Sequence, residues 1–460
     1  MRCRATKGST HLLALTGLAV LGVATAGRAQ EAIRRDGLTL SEAVVLARET
    51  HPSLGAARAG EDAASAALGQ AKSSWWPQLG GQASLMRYEE PMVVAPIHGF
   101  TQNQFERIEF ERTLIQGNAS LAWTVFDGGA RVNGIRGARA GAAGAAAGRA
   151  ATEMVLIAQV TRAYLEVLTA SGVLDAQGQR IDALQAERRR VSQLLTEGQA
   201  AQVELLRVDA ALAAAEAQQV ATRTRLDLAE RELARLVGIA PDAAHSERLH
   251  PVRLSGAAVS EDRAELAERA RSLNPELERS RQNVQAAEAS RRVAKAAWIP
   301  AVSLGGAYQL FSSDAWNTTT EWNVRLAVSY PLFTGGARAN AVGQAAAKTR
   351  LAREELRIAE LEVEEGVDRA LNAALETRAL VSALRRAVQL QTEVARIEQL
   401  SLDAGAGTQT DYLRAEAELA SARSQLVEAE HAQIAARVEL ARVVGELTAE
   451  WLDRNVETEQ

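Results

Sequence analysis

The nine residues Trp123–Arg131, WTVFDGGAR, return 207 residues later at Tyr330–Arg338 as YPLFTGGAR. Upstream of each copy the apolar residues alternate: Leu121, Trp123 and Val125 in the first, Val328, Tyr330 and Leu332 in the second. Ser120, Thr124 and Ser329 take the opposite side. Alternation with period two predicts a strand with unlike faces. Downstream, strong helix formers take over, so each copy ends a strand and opens a helix. The glycine pairs Gly128-Gly129 and Gly335-Gly336 carry no Cβ and let the backbone change direction at a crowded point. The strand-to-helix junctions are therefore expected at Phe126, Gly128 and Gly129 and at Phe333, Gly335 and Gly336.

The repetition extends along the chain. LTLSEAVVLARETHPSL (Leu38–Leu54) is answered by EDRAELAERARSLNPEL (Glu261–Leu277) at an offset of 223, and Trp75-Trp76-Pro77 meets Trp298-Ile299-Pro300 at the same offset. Beyond the first strand the offset is 207: Gly198 meets Gly405, and LARLVG at 233–238 meets LARVVG at 440–445. The change places a 16-residue length difference, and hence a loop, between the two strands of each repeat. All nine prolines lie outside 97–240 and 332–460, and those stretches have the Ala, Leu, Glu, Arg and Gln content of long helices. Each repeat thus predicts helix, strand, loop, strand, long helix, turn, helix, with the first three helices at 41–75, 127–197 and 200–237. The long one would span about 105 Å. The two shorter helices, laid end to end, would match it as a pseudo-continuous partner. Gly141, Gly144 and Gly148 near its start would let another helix approach closely.

The expected organisation is a first repeat at 30–238, a linker at 239–260, a second repeat at 261–445 and a tail at 446–460. Residues 1–29 combine Arg2, Arg4 and Lys7, an apolar run from Leu12 to Ala24 and small residues before Gln30, which predicts a cleaved secretory signal. No later segment is apolar enough for a transmembrane helix. The single cysteine, Cys3, precedes the apolar run, so the exported chain would have neither a disulfide nor an N-terminal lipid anchor. Loss of the signal removes four of the 52 basic residues and none of the 57 acidic ones, leaving a mixed, mildly acidic chain with no case for nucleic acid.

Of the seven Trp, five Tyr and six Phe, only Tyr164, Tyr412 and Trp451 fall outside 75–126 and 298–333. In those windows Trp322, Val324, Leu326, Val328 and Tyr330 alternate with Asn323, Arg325, Ala327 and Ser329, and Val302, Leu304, Tyr308 and Leu310 oppose Ser303 and Gln309. Alternating segments of roughly ten residues with aromatics near their ends, in an exported chain, point to a transmembrane β-barrel, with Trp75, Trp76, Trp123, Trp298, Trp322 and Tyr330 as membrane-interface aromatics. Four strands cannot close a barrel, and an open edge in lipid leaves backbone groups unpaired, so several copies must contribute.

These features resemble the TolC-like outer-membrane efflux and secretion channels over essentially the whole exported chain. The resemblance rests on the L-x-L-x-E-A run from Leu38 to Ala43 with His51-Pro52 after it, Trp76-Pro77 before a strand, FDGGAR, PLFTGGAR and the turn at Gly405–Leu413. It implies a mainly α fold with a small β part. Three protomers would each give four strands to a twelve-stranded barrel in the outer membrane. Their helices would form a hollow α-helical barrel across the periplasm, belted near mid-length by Ile239–Ser260 and the tail after Gly445.

The helix-to-helix turns LLTEGQAAQVELLR (194–207) and SLDAGAGTQTDYLR (401–414) have Gly198 and Gly405 as expected helix C-caps, with Glu204 and Asp411 six residues on. The resemblance makes them the periplasmic tip, closed at rest and met by a periplasmic adaptor, with Glu204, Leu206, Asp411, Leu413 and Arg414 among the contact and gating residues. Asp411 matches an acidic position that can ring the pore in threefold copy. Arg414 stands where some members carry a second acid, and would either latch to a nearby acid or weaken the ring. Arg188–Arg190 reads as a solvated helix face or an adaptor contact.

Enzymatic motifs are missing. Lys348-Thr349 lacks the glycine immediately before the lysine that a phosphate loop requires, and no H-E-x-x-H occurs. His245 and His250, five apart in the linker, are poorly spaced for a metal. The expected function is a passive exit duct needing no cofactor, powered by an inner-membrane transporter through the adaptor. A periplasmic coiled-coil adaptor or scaffold is the alternative, and a free-standing diffusion porin a third reading that gives the long helices no use.

Overall fold

The computed structural model describes residues 37–94, 110–255, 260–313 and 318–458; the expected signal segment and most of both strand-connecting loops lie outside them. The chain divides into two compact units, each drawing on both repeats: Met1–Ala57, Arg149–Pro275 and Glu360–Gln460 form one, Arg58–Gly148 and Glu276–Ala359 the other. No helix among the described residues is long and apolar enough to cross a membrane.

The helix expected at 41–75 is instead two, α1 (Leu40–Thr50) and α2 (Pro52–Ser73). Its counterpart is likewise α5 (Arg263–Leu273) and α6 (Pro275–Ala296). A residue before proline avoids the helical region, and His51 (ψ 127°) and Asn274 (ψ 120°) are accordingly extended. The L-x-L-x-E-A run is a capping box: the Glu42 amide donates to the Thr39 hydroxyl, and a Glu42 carboxylate oxygen accepts from the Thr39 amide. Asp262 caps the second copy, accepting from the amides of Ala264 and Glu265.

The long helices are α3 (Ala130–Thr196) and α7 (Ala337–Asp403), 67 residues each, or about 100 Å. Each turns back into a 36-residue helix, α4 (Gln202–Val237) and α8 (Gln409–Val444). The ends of these two meet the proline breaks. The Thr50 hydroxyl donates to the carbonyl of Val237, and the Asn274 side-chain amide donates to that of Val443. Gly445 (φ 90°) lies so close to Leu273 and Asn274 that a Cβ would come within 2.6 Å of backbone. The ends of α4 and α8 thus pack on the breaks at Thr50–Pro52 and Asn274–Pro275.

In the first unit a core of Leu38, Leu40, Val44, Leu54, Leu156, Ile157, Val160, Leu233, Val237, Leu447 and Leu452 surrounds Tyr164. The Tyr164 hydroxyl lies 2.8 Å from the carbonyl oxygen of Leu38 and 2.7 Å from that of His250, and burial pushes its pKa up, so it stays a donor. Linker and tail are joined by a small antiparallel ladder of β3 (Val252–Leu254) and β6 (Val456–Thr458), next to the short α9 (Ala449–Asn455).

In the second unit the antiparallel order is β1 (Gln78–Val93), β2 (Phe110–Phe126), β4 (Ala301–Ser312), β5 (Thr318–Ser329), leaving β1 and β5 as edges. Tyr330, expected inside the last strand, falls just past it. Of the three glycines expected at the helix approach, Gly144 and Gly148 are there and Gly137 takes the place of Gly141. Gly137, Gly144 and Gly148 of α3 face Ala289, Gln282 and Arg279 of α6, whereas Gly141 faces open space.

Tyr164→Phe removes the buried hydroxyl whose single proton serves the carbonyls of Leu38 and His250, so unfolding stability should fall by about 1–3 kcal/mol. A lowered melting temperature in detergent, with unchanged helical content, is the expected result.

Candidate functional site

Three features are the candidates for function: the two faces of the sheet, the strand-to-helix junctions and the helix-to-helix turns. The ladders place residues in rows. Gln82, Asn118, Gln309 and Glu321 form one row, and Gly80, Ser120, Ala307 and Asn323 the next. Gln78, Ala122, Gly305 and Arg325 follow, then Thr124, Ser303 and Ala327. That face is polar. The rows between are Gly81, Ala119, Tyr308, Trp322; Leu79, Leu121, Gly306, Val324; Trp123, Leu304, Leu326; and Val302, Val328. These rows are apolar and free of charge; the first charge on that face is Arg87, nearer the loop end of β1. On β5, Trp322, Val324, Leu326 and Val328 are 67–71% exposed, a stripe with nothing of this chain packed on it. Trp322 and Tyr308 pair near the loop end, while Trp75, Trp76, Trp123, Trp298 and Tyr330 gather at the helix end. Tyr330 and Trp322 lie about 26 Å apart along the strand, close to the height of the apolar band of outer-membrane barrels.

At the first junction Phe126 follows a register shift, then Gly128 and Gly129 both take positive φ (64° and 88°). A Cβ on Gly128 would meet that of Ile299 at 2.7 Å, so the turn is both left-handed and tightly packed. Gly335 and Gly336 repeat the conformation (59° and 84°), after an exposed Phe333. The last residue of each motif, unassigned from sequence, proves to be the clamp. Arg131 stacks over the Trp75 ring at 4.6 Å, pairs with Asp127 at 3.1 Å and donates to the carbonyls of Ser74 and Val125. Arg338 lies over Trp298 at 4.5 Å and Tyr330 at 5.1 Å. Thr334 replaces the aspartate here, and the buried Nε of Arg338 has no partner. The signal for this role was the arginine's recurrence at one position in both copies.

At the first helix-to-helix turn Gly198 (φ 72°) ends α3, with the Gln199 amide donating to Leu194. Ala201 begins α4 without a side-chain cap, leaving Glu204 partly exposed in the first turn. At the second, Gly405 (φ 74°) ends α7 and Thr408 caps α8. The Thr408 hydroxyl accepts from the Asp411 amide and lies 2.6 Å from the Asp411 carboxylate, which is thereby committed to the cap. Arg414 is exposed and pairs with Glu418 at 2.9 Å, so its acid lies further along α8. Leu413 packs against Ile181, Leu184 and Ala215, whereas Leu206 is exposed.

Sequence reasoning missed two contacts between the turns. Arg190, expected on a solvated face, is held by the buried Glu187 at 2.7 Å and reaches Gln409 at 3.4 Å and Asp403 at 3.9 Å. Arg207 donates to the Thr410 hydroxyl at 3.3 Å. Beside Arg190, burial and the nearby carboxylates push the Tyr412 pKa up to about 12. Arg188 does pair at the surface, with Asp209. In the linker, His245 lies 3.0 Å from Glu230, whose other oxygen accepts from the Ser246 amide; this is a tether.

The chain belongs to the outer membrane efflux protein family, whose model matches residues 43–239 and 266–446. It is 24% identical over 432 residues to the outer membrane efflux protein BepC of Brucella suis biovar 1, covering 91% of this chain and 88% of that protein. It is 28% identical over 409 residues to protein CyaE of Bordetella pertussis, with coverage of 86% and 81%. Its fold is similar to that of the Campylobacter jejuni CmeC outer membrane channel, with a TM-score of 0.77, 18% identity and coverage of 88% and 85%. The chain is thus an outer-membrane efflux or secretion channel of the TolC-like type, with its helical part in the periplasm. The adaptor or scaffold alternative finds no support.

Thr334→Asp should give Arg338 the partner that Asp127 gives Arg131. A gain in stability of about 1 kcal/mol is expected, read as a higher melting temperature, with no gain in the Arg338→Ala background.

Proposed function

We propose that three copies of this chain form the passive exit duct of a tripartite efflux pump or type I secretion system. Each contributes four strands to a twelve-stranded barrel in outer-membrane lipid, and the helices enclose the passage through the periplasm. The observation that carries this reading is the sheet: apolar on one face, polar on the other, with β1 and β5 as edges. In lipid such edges must pair. The repeat says how. Ser120 faces Ala307 across β2 and β4, and the same relation, carried by the two offsets, sets Ala327 of one copy beside Ser84 of the next. Both belong to the polar face, so the pairing keeps pore side with pore side.

At the turns, Arg190 and Arg207 hold the two hairpins of a protomer together, and parting them opens the periplasmic end. Glu204, Leu206, Asp411 and Arg414 are the groups a periplasmic adaptor meets. The adaptor couples the duct to an inner-membrane transporter, which supplies the energy, so the duct itself carries out no catalysis and needs no cofactor. Interface lipid headgroups meet Trp75, Trp76, Trp123, Trp298, Trp322 and Tyr330. The linker 239–260 and the tail form the belt.

Ser84→Cys with Ala327→Cys tests the closure. A disulfide-linked trimer on a non-reducing gel, reverting to monomer with reductant and absent from either single variant, is expected. Monomer alone would contradict the proposed seam. Arg190→Ala with Arg207→Ala should raise the open fraction in planar bilayers by roughly tenfold, since two contacts of about 0.5–1 kcal/mol each are lost.

A further inference from the structure

The polar face is nearly neutral. From the row of Ser84 and Gln116 down to the helix end of the sheet, its only charged side chains are Glu321 and Arg325. They stand on β5 four residues, or about 13 Å, apart, with Arg325 nearer the helices. That separation exceeds the screening length at physiological salt, so each acts locally on what passes it.

Arg325 also has a built seat. Its cross-strand partner is Gly305, and a Cβ there would lie 3.8 Å from Nη2 and 3.9 Å from Nε of the guanidinium. The absent side chain lets the planar group lie over the neighbouring strand. Beyond Gly305 the row continues with Ala122, again small. The concave surface around it is lined by the neutral hydrogen-bond donors Gln78, Ser120, Thr124, Ser303 and Asn323 and by Arg131, which Asp127 and the carbonyls of Ser74 and Val125 already engage. An arginine fork among small residues and neutral donors, with no acid in its own row, matches a carboxylate better than a cation.

We propose that Arg325 is an anion-holding station on the pore wall, taking the carboxylates of passing organic solutes through its guanidinium. The inference rests on the polar face being the inside of the barrel. Three copies would place three such stations at one level, about 13 Å from Glu321 on the helix side. The duct would then not be indifferent to cargo: anionic solutes would dwell there and cationic ones pass more freely.

The test is single-channel recording of the purified protein in planar bilayers, with citrate added on the side of the strand loops. Wild-type channels should show concentration-dependent current interruptions that weaken when the salt is raised from 0.1 to 1 M. In Arg325→Gln the apparent citrate affinity should drop by roughly tenfold or more at unchanged open conductance, and Arg325→Lys should fall between the two. Equal citrate block in wild type and Arg325→Gln, or none in wild type, would overturn the station while leaving the channel reading intact. Failure of both the wild type and the Arg190→Ala, Arg207→Ala variant to conduct would remove the channel reading and this inference with it.

Discussion

A backbone amide or carbonyl in hydrocarbon has no water to turn to, and the rest of this structure follows from that constraint. The four-stranded sheet has an apolar face with rows of exposed Leu, Val and Trp, uncharged from the row of Leu85 and Ile115 to the helix end, which suits it to lipid. Its opposite face is lined by Gln, Asn, Ser and Thr, so its surroundings there are water. A sheet between two such media cannot end in an open edge, and four strands cannot close on themselves. In the proposed trimer, repetition within the chain and between chains resolves the conflict, because β5 would relate to a neighbouring β1 as β2 relates to β4.

Duplication also explains where the two halves have parted. The junction needs the same left-handed glycine pair and the same stacked arginine twice, and both are kept. The carboxylate behind the arginine is present once, as Asp127, and replaced by Thr334 in the other half. At the turns the divergence runs the other way: Thr408 caps the second hairpin and occupies Asp411, while Ala201 leaves the first uncapped. The second turn is thus the better ordered by its own side chains, and the first leans on it through Arg190 and Arg207.

Much of the fold was legible in the sequence because it is periodic. Trp322, Val324, Leu326 and Val328 alternate without a fault, and the structure turns them all to one side. The long helices and their glycine-capped turns follow from composition and the two offsets. The breaks at His51 and Asn274 were overlooked because proline sits comfortably in a helix's first turn, and only its effect on the preceding residue reveals the joint. Arg190 could not be placed from sequence, since its partners Asp403 and Gln409 are brought to it only by folding. Which of the α3 glycines faces another helix depends on helical phase, and there Gly137 replaced Gly141.

The central claim is that unlike faces and unpaired edges force three chains into one hollow duct. Electron microscopy of the detergent-purified protein measures this most directly. A threefold, hollow particle with a detergent belt around one end and a helical part of about 100 Å is the expected image. A single-chain particle, or a helical assembly with no central passage, would contradict the account.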